Sequence, residues 1–180
     1  MFLCHYAPKQ NNVLQTGLLS FAKNPNADIR YYTKRSGKET KNEIVDWMES
    51  CFKGRSRGIR FFTCPLQWTE KSLKLKELID NSELFSVDIT QLDKDGFVEG
   101  VYLKPSIFEE CCPPDIENYK DEYLIKLNSI ADIDWTYKQT FDKCDDNAGL
   151  RMAPLRFYVI VIKGGVIPPK YIKKFFKICR

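Results

Sequence analysis

The chain carries one histidine, His5, and seven cysteines, Cys4, Cys51, Cys64, Cys111, Cys112, Cys144 and Cys179. These are the side chains best suited to chemistry near neutral pH, imidazole as acid, base or hydrogen-bonding group and thiolate as nucleophile or metal ligand. Their spacing narrows the choice. No two cysteines form a Cys-x-x-Cys pair, and a lone histidine cannot build a multi-histidine centre, so no metal site is expected. Asp93-Lys94-Asp95-Gly96 opens like a calcium loop but lacks the later ligands, and reads as a turn. A Cys-His hydrolase or transferase stays open. Cys64, at a strand end beside Pro65, or Cys144 would be its nucleophile, and His5 the base that makes the thiolate. The phosphate-loop, dinucleotide-fold and nucleophile-elbow patterns do not occur in the sequence.

Charge offers a second line. The chain has 28 basic and 24 acidic residues, a net charge of +4, too even a balance to mark a nucleic-acid binder by itself. The cations are unevenly placed. Arg30, Lys34, Arg35, Lys38 and Lys41 fall in one stretch with Glu39 as the only acid, and Lys170, Lys173, Lys174, Lys177 and Arg180 close the chain. Such runs are either solvated surface or a place for phosphates, on a dinucleotide or a nucleic-acid partner.

These residues need a scaffold. Phe2 to Tyr6 reads as a first strand, and Asn11 or Asn12 caps a short, Gly17-weakened helical stretch through Leu19. Ala22 to Lys38 reads as an ordered loop with a helical turn. Thr40 and Glu43 form a capping box before the stripe Ile44, Val45, Trp47, Met48, Cys51 and Phe52, which predicts a core-facing helix. Arg57 to Cys64 reads as a strand, Glu70 to Asp80 as a helix, and Leu84–Ile89 with Phe97–Leu103 as a hairpin turned at residues 93–96. Ile116 to Asn128 reads as helical, and Ile133, Trp135 and Tyr137 as a strand. Phe157 to Ile162 is the most apolar strand and is expected at a sheet centre. Pro168-Pro169 is expected to open a final helix with Tyr171, Ile172, Phe175, Phe176, Ile178 and Cys179 inward. The order favours α+β, one domain over residues 1–180, with an antiparallel or mixed sheet and flanking helices.

His5-Tyr6 at a strand end, Asn12 to Leu14, and Gly17-Leu18-Leu19-Ser20 together resemble the opening of ADP-ribosyltransferase-fold proteins. Gly58 to Thr63 is similar to their second motif. Tyr158 to Val161, followed by Val166 to Ile172, is similar to the last strand of the DNA-targeting toxin branch. The resemblance implies a split sheet, NAD as cofactor, and a nucleic-acid or protein acceptor. On it, His5 holds the nicotinamide ribose beside Tyr6, Tyr31 or Tyr32 stacks on the nicotinamide, Arg60 or a residue of the Arg30 to Lys41 stretch neutralises the diphosphate, and Thr63 braces the site. The family's catalytic glutamate has no counterpart: Tyr158 stands at its place, and no glutamate follows Glu122. The expectation is ADP-ribosyl transfer or a nucleotide-binding descendant of such an enzyme.

The opening also resembles small abortive-infection and phage-defence proteins, which leaves a non-catalytic binding role open. An apolar content of 43% excludes disorder throughout, and no apolar run reaches the roughly 20 residues of a membrane span. The N-terminus lacks the regions of a signal peptide, so a cytoplasmic protein with reduced thiols is expected.

Overall fold

Six consecutive apolar residues, Phe157 to Ile162, leave no polar face to turn toward water, so the strand they form must be covered on both sides. The computed structural model describes residues 1–9, 11–65, 80–105, 124–137 and 156–175. In it all six side chains of this strand are buried. In chain order the elements are β1 (Phe2–Pro8), α1 (Val13–Thr16), β2 (Leu18–Leu19), α2 (Arg30–Ser36), α3 (Lys41–Cys51), β3 (Gly58–Phe61), β4 (Ser82–Asp88), α4 (Ile89–Lys94), β5 (Val98–Lys104), β6 (Ile125–Leu127), β7 (Phe157–Ile162), β8 (Val166–Ile167) and β9 (Ile172–Lys174). The fold is α+β.

The strands form a four-stranded sheet, β3-β7-β5-β6, a three-stranded sheet, β1-β4-β9, and a short β2-β8 ribbon. Each described pairing is antiparallel. The two larger sheets meet at one backbone pair. The Cys4 N–H donates to the Phe62 carbonyl at 2.7 Å, and the Phe62 N–H donates to the Cys4 carbonyl at 2.8 Å. Among the described residues the ladder between β1 and β3 stops there.

Strand alternation sorts the side chains into two cores. Leu3 and Ala7 of β1, Ile59 and Phe61 of β3, Phe85 and Val87 of β4, and Tyr158, Ile160 and Ile162 of β7 share the larger one. Cys4, Phe62, Phe157 and Val159 share a smaller one. Helix α3 starts at the expected capping box, with the Glu43 N–H donating to Thr40 and the Thr40 N–H to Glu43. Ile44 and Met48 are buried, but Cys51, expected on the inner stripe, is exposed. The Glu49 carboxylate then accepts the Gly54 and Ser56 N–H groups at 2.7 and 3.1 Å, which fixes the turn into β3.

Several expectations need correction. Strands β4 and β5 do not form a hairpin. They lie in different sheets, because fully buried Ile89 and Leu92 fold the connection into α4, with Asp88 as its side-chain cap. The final helix is absent over the described residues. A 3-10 turn at Pro169–Tyr171 leads into β9, which completes the hydrogen bonding of β4's outer edge. Ile125–Leu127, assigned to a helix by pattern, pairs with β5 as a strand. Ile133, Trp135 and Tyr137 follow a 3-10 turn, Ile130–Asp132, closed by a Ser129–Asp132 capping box, and make no strand. The loop before Lys38 contains a two-turn helix, α2. All of the expected Glu70–Asp80 helix except Asp80 lies outside the described residues, as does most of Ile116–Asn128.

Gly17 is a position where the backbone dictates the residue. Its φ is +84°, and an added Cβ would sit 2.2 Å from the Ile167 carbonyl oxygen. It turns α1 into β2, so that Leu18 and Leu19 can pair with β8. Gly17→Ala is expected to destabilise the protein by on the order of 2 kcal/mol or more. The readout is a lower urea midpoint at unchanged slope. An unchanged midpoint would contradict the close approach of these two segments.

Candidate functional site

His5 projects from β1 on the same face as Leu3 and Ala7. Its Nδ1 lies 2.7 Å from the Arg60 carbonyl oxygen. A carbonyl only accepts, so Nδ1 carries the proton and donates, and Nε2 keeps its lone pair. The ring tilts against Phe61 at 5.6 Å between centroids. Burial pushes the His5 pKa down to about 4; the hydrogen bond to Arg60 opposes this and the Arg60 positive charge adds to it. The imidazole is therefore neutral at pH 7. Among the described residues no group bonds its Nε2.

His5 lines a cleft of about 410 Å³. One wall is the end of β1, His5 to Pro8. Another runs from Asn11-Asn12 through α1 and Gly17 to Leu19. The third is the turn Asn24-Pro25-Asn26. Local hydrogen bonds hold these walls. The Asn24 N–H donates to the Ser20 carbonyl at 2.9 Å, the Asn26 N–H donates to Asn24 Oδ1 at 3.0 Å, and Lys41 Nζ of α3 donates to the Asn24 carbonyl at 2.8 Å. Thr16 Oγ1 donates to the Asn12 carbonyl at 3.0 Å. The polar lining consists of amides, a hydroxyl, the neutral imidazole and Tyr6, with no Asp, Glu, Lys or Arg among the described lining residues.

Of the residues singled out by sequence, His5 and Tyr6 line the cleft together. Arg60 reaches the site through its backbone carbonyl, while its guanidinium lies 4.2 Å over the Phe157 ring in the smaller core. Thr63 donates to the Tyr137 carbonyl at 2.7 Å and so ties the end of β3 to the 134–137 turn. Tyr31 and Tyr32 sit on α2, Tyr32 edge-on to Phe21 at 4.8 Å, and neither lines the cleft. Tyr158 is 1% exposed in the main core. Its hydroxyl accepts from the Asp134 N–H and from Arg156, both at 3.0 Å. It faces the 134–137 turn and does not line the cleft.

Cys64 is half-buried and does not line the cleft either. Burial first, and the neighbouring Cys64 second, push the Cys4 thiol up to about 11, so it stays protonated. Cys144 lies outside the described residues, where no Cys-His geometry is assigned. Cations of the two basic stretches pair with carboxylates: Arg30 with Asp28 at 2.7 Å, Lys170 with Asp95 at 3.8 Å and Lys174 with Glu83 at 2.6 Å. Lys177 and Arg180 lie outside the described residues. Among the described residues no cluster of three or more His, Cys, Asp or Glu could hold a metal, and no helix is long and apolar enough to cross a membrane.

Sequence reasoning passed over Asn11, Thr16, Asn24 and Asn26 as lining residues. Their one sequence signal is the density of Asn around Pro25, which also describes any polar turn. Compared with protein-family models, curated proteins and solved structures, the chain matches none.

The His5 shift sets a pH dependence. The folded-state pKa of about 4 lies below the ordinary histidine value of 6.5, so the unfolded chain binds more protons between those values. Stability from this group is complete above the unfolded pKa and is lost as pH falls from about 6.5 toward 4, by up to about 3 kcal/mol. Wild type should therefore lose more thermal stability over this window than His5→Gln. Parallel Tm curves would show that the imidazole titrates freely.

Proposed function

We propose that the chain binds NAD or a closely related nucleotide in this cleft, as a nucleotide-binding relative of ADP-ribosyltransferase-fold proteins. A reduced, cytoplasmic setting is part of the same proposal, and the free thiols of Cys4, Cys51 and Cys64 agree with it. The observation that carries the reading is the His5 imidazole. Fixed by the Arg60 carbonyl, it keeps an unprotonated Nε2 on a residue that lines a cleft. A ribose hydroxyl is a donor of matching chemistry, because it can give its proton to a neutral nitrogen and accept in turn from an amide such as Asn12.

Two further features support it. The Gly17–Ser20 corner, which carries the second part of the resemblance, supplies Gly17, Leu18 and Leu19 to the cleft lining. The sheet is split beside His5, with β1 and β3 in different halves. Transfer of the ADP-ribosyl group needs a group that stabilises a positively charged ribose in the transition state. The described lining holds no carboxylate, and Asp134, hydrogen-bonded to Thr136 and near Arg156, does not line the cleft. Among the described residues the geometry therefore favours binding over transfer; Asp142, Asp145 and Asp146 lie outside them.

Calorimetric titration with NAD tests the reading. Wild type should bind saturably, and His5→Ala should weaken binding about tenfold, the loss of one hydrogen bond and its packing. Tyr31→Ala, a change on the exposed face of α2, should leave binding intact. No binding at millimolar NAD by the folded protein would overturn the reading.

A further inference from the structure

Resting on that nucleotide reading, we propose that the cleft recognises the ribonucleoside part of its ligand and leaves the phosphates in solvent. The argument starts from the lining. His5, Asn11, Asn12, Thr16, Asn24 and Asn26 supply its side-chain polarity beyond the Tyr6 phenol, and the remaining described lining is apolar or backbone. Amides, hydroxyls and a neutral imidazole match ribose hydroxyls and the edges of a base. A phosphate placed among them would lose its hydration and meet no compensating cation among the described lining residues.

Two described cations near the cleft, Lys41 and Arg60, are engaged elsewhere. Lys41 does not line the cleft, and its Nζ donates to the Asn24 backbone carbonyl at 2.8 Å. Arg60 turns its guanidinium onto Phe157. Three backbone donors at the start of α1 are also used: the Val13 N–H donates to the Asn11 carbonyl at 2.8 Å, and the Gln15 and Thr16 N–H groups donate to the Asn12 carbonyl at 2.9 Å. Size agrees with charge. A cleft of about 410 Å³ lies toward the small end of the roughly 300–1,000 Å³ range of ligand sites. It has room for a nucleoside, whereas a whole dinucleotide would extend into water.

A binding mode of this kind is nearly independent of salt, because no phosphate contact is formed and no counterion atmosphere is disturbed. Competition calorimetry with adenosine, nicotinamide riboside and NAD, at low salt and at about 0.5 M salt, tests it. One of the two nucleosides should bind within about tenfold of NAD and displace it. The affinity of either ligand should change less than about twofold with salt. If NAD binds while both nucleosides are more than about a hundredfold weaker, the phosphates carry the recognition. This inference then fails and the nucleotide reading stands. If none of the three binds, the nucleotide reading fails, and this inference with it.

Discussion

The hydrogen bond from the His5 ring to the Arg60 carbonyl stands where the two halves of the sheet part. Cys4 and Phe62 form a hydrogen-bonded antiparallel pair. In a continuing ladder the next such pair would be Tyr6 with Arg60, and the Arg60 carbonyl would belong to the backbone of β1. The imidazole takes it instead. A partly buried carbonyl left without a donor would cost about 1–3 kcal/mol, so a side-chain donor allows the ladder to stop without that penalty. Among the described residues no further strand pairs with that edge of β1, and His5 to Pro8 line a cleft.

The electrostatics of the site follow from the same bond. A ring whose Nδ1 donates to a carbonyl and whose body rests on Phe61 is in surroundings that disfavour the imidazolium. It stays neutral and in one tautomer, with Nε2 as acceptor. Around it the Asn-rich turn and the α1 segment contribute dipoles and no net charge. No described lining residue is a cation, and Arg30, Lys170 and Lys174 pair with carboxylates at the surface. Such exposed pairs add little stability, but they separate the basic character of the sequence from the neutral chemistry of the cleft.

What could be read in the sequence follows from how many physical constraints act on each stretch. Phe157–Ile162 is apolar at every position, and only a central strand satisfies that. Thr40 and Glu43 specify a helix start through reciprocal hydrogen bonds that need nothing from the rest of the fold. The stretch after Pro169 was ambiguous: Tyr171 and Ile172 are buried in the strand arrangement as they would have been in a helix. The deciding factor was the open edge of β4, a tertiary demand invisible in a local pattern. Site residues show the same division. His5 stood out by being unique. Tyr158 lies on the expected apolar strand, but β7 is buried on both faces, so position along it does not tell which side a ring turns to. The asparagines of the cleft were hidden because Asn is an ordinary turn residue, and only the packing of α1 and the Asn24–Asn26 turn against β1 makes them a lining.

The central claim is that His5 is a neutral, single-tautomer acceptor at the edge of a split sheet. As the chain's only histidine, it gives one set of imidazole nitrogen signals, and nitrogen-15 NMR of labelled protein reads tautomer and protonation without a mutant. The account predicts a protonated Nδ1 and a bare Nε2 from neutral pH to below pH 5, with titration near the value of about 4. The Nε2 signal should shift when NAD is added. Rapidly exchanging tautomers titrating near the ordinary histidine value of about 6.5, with no response to NAD, would contradict it.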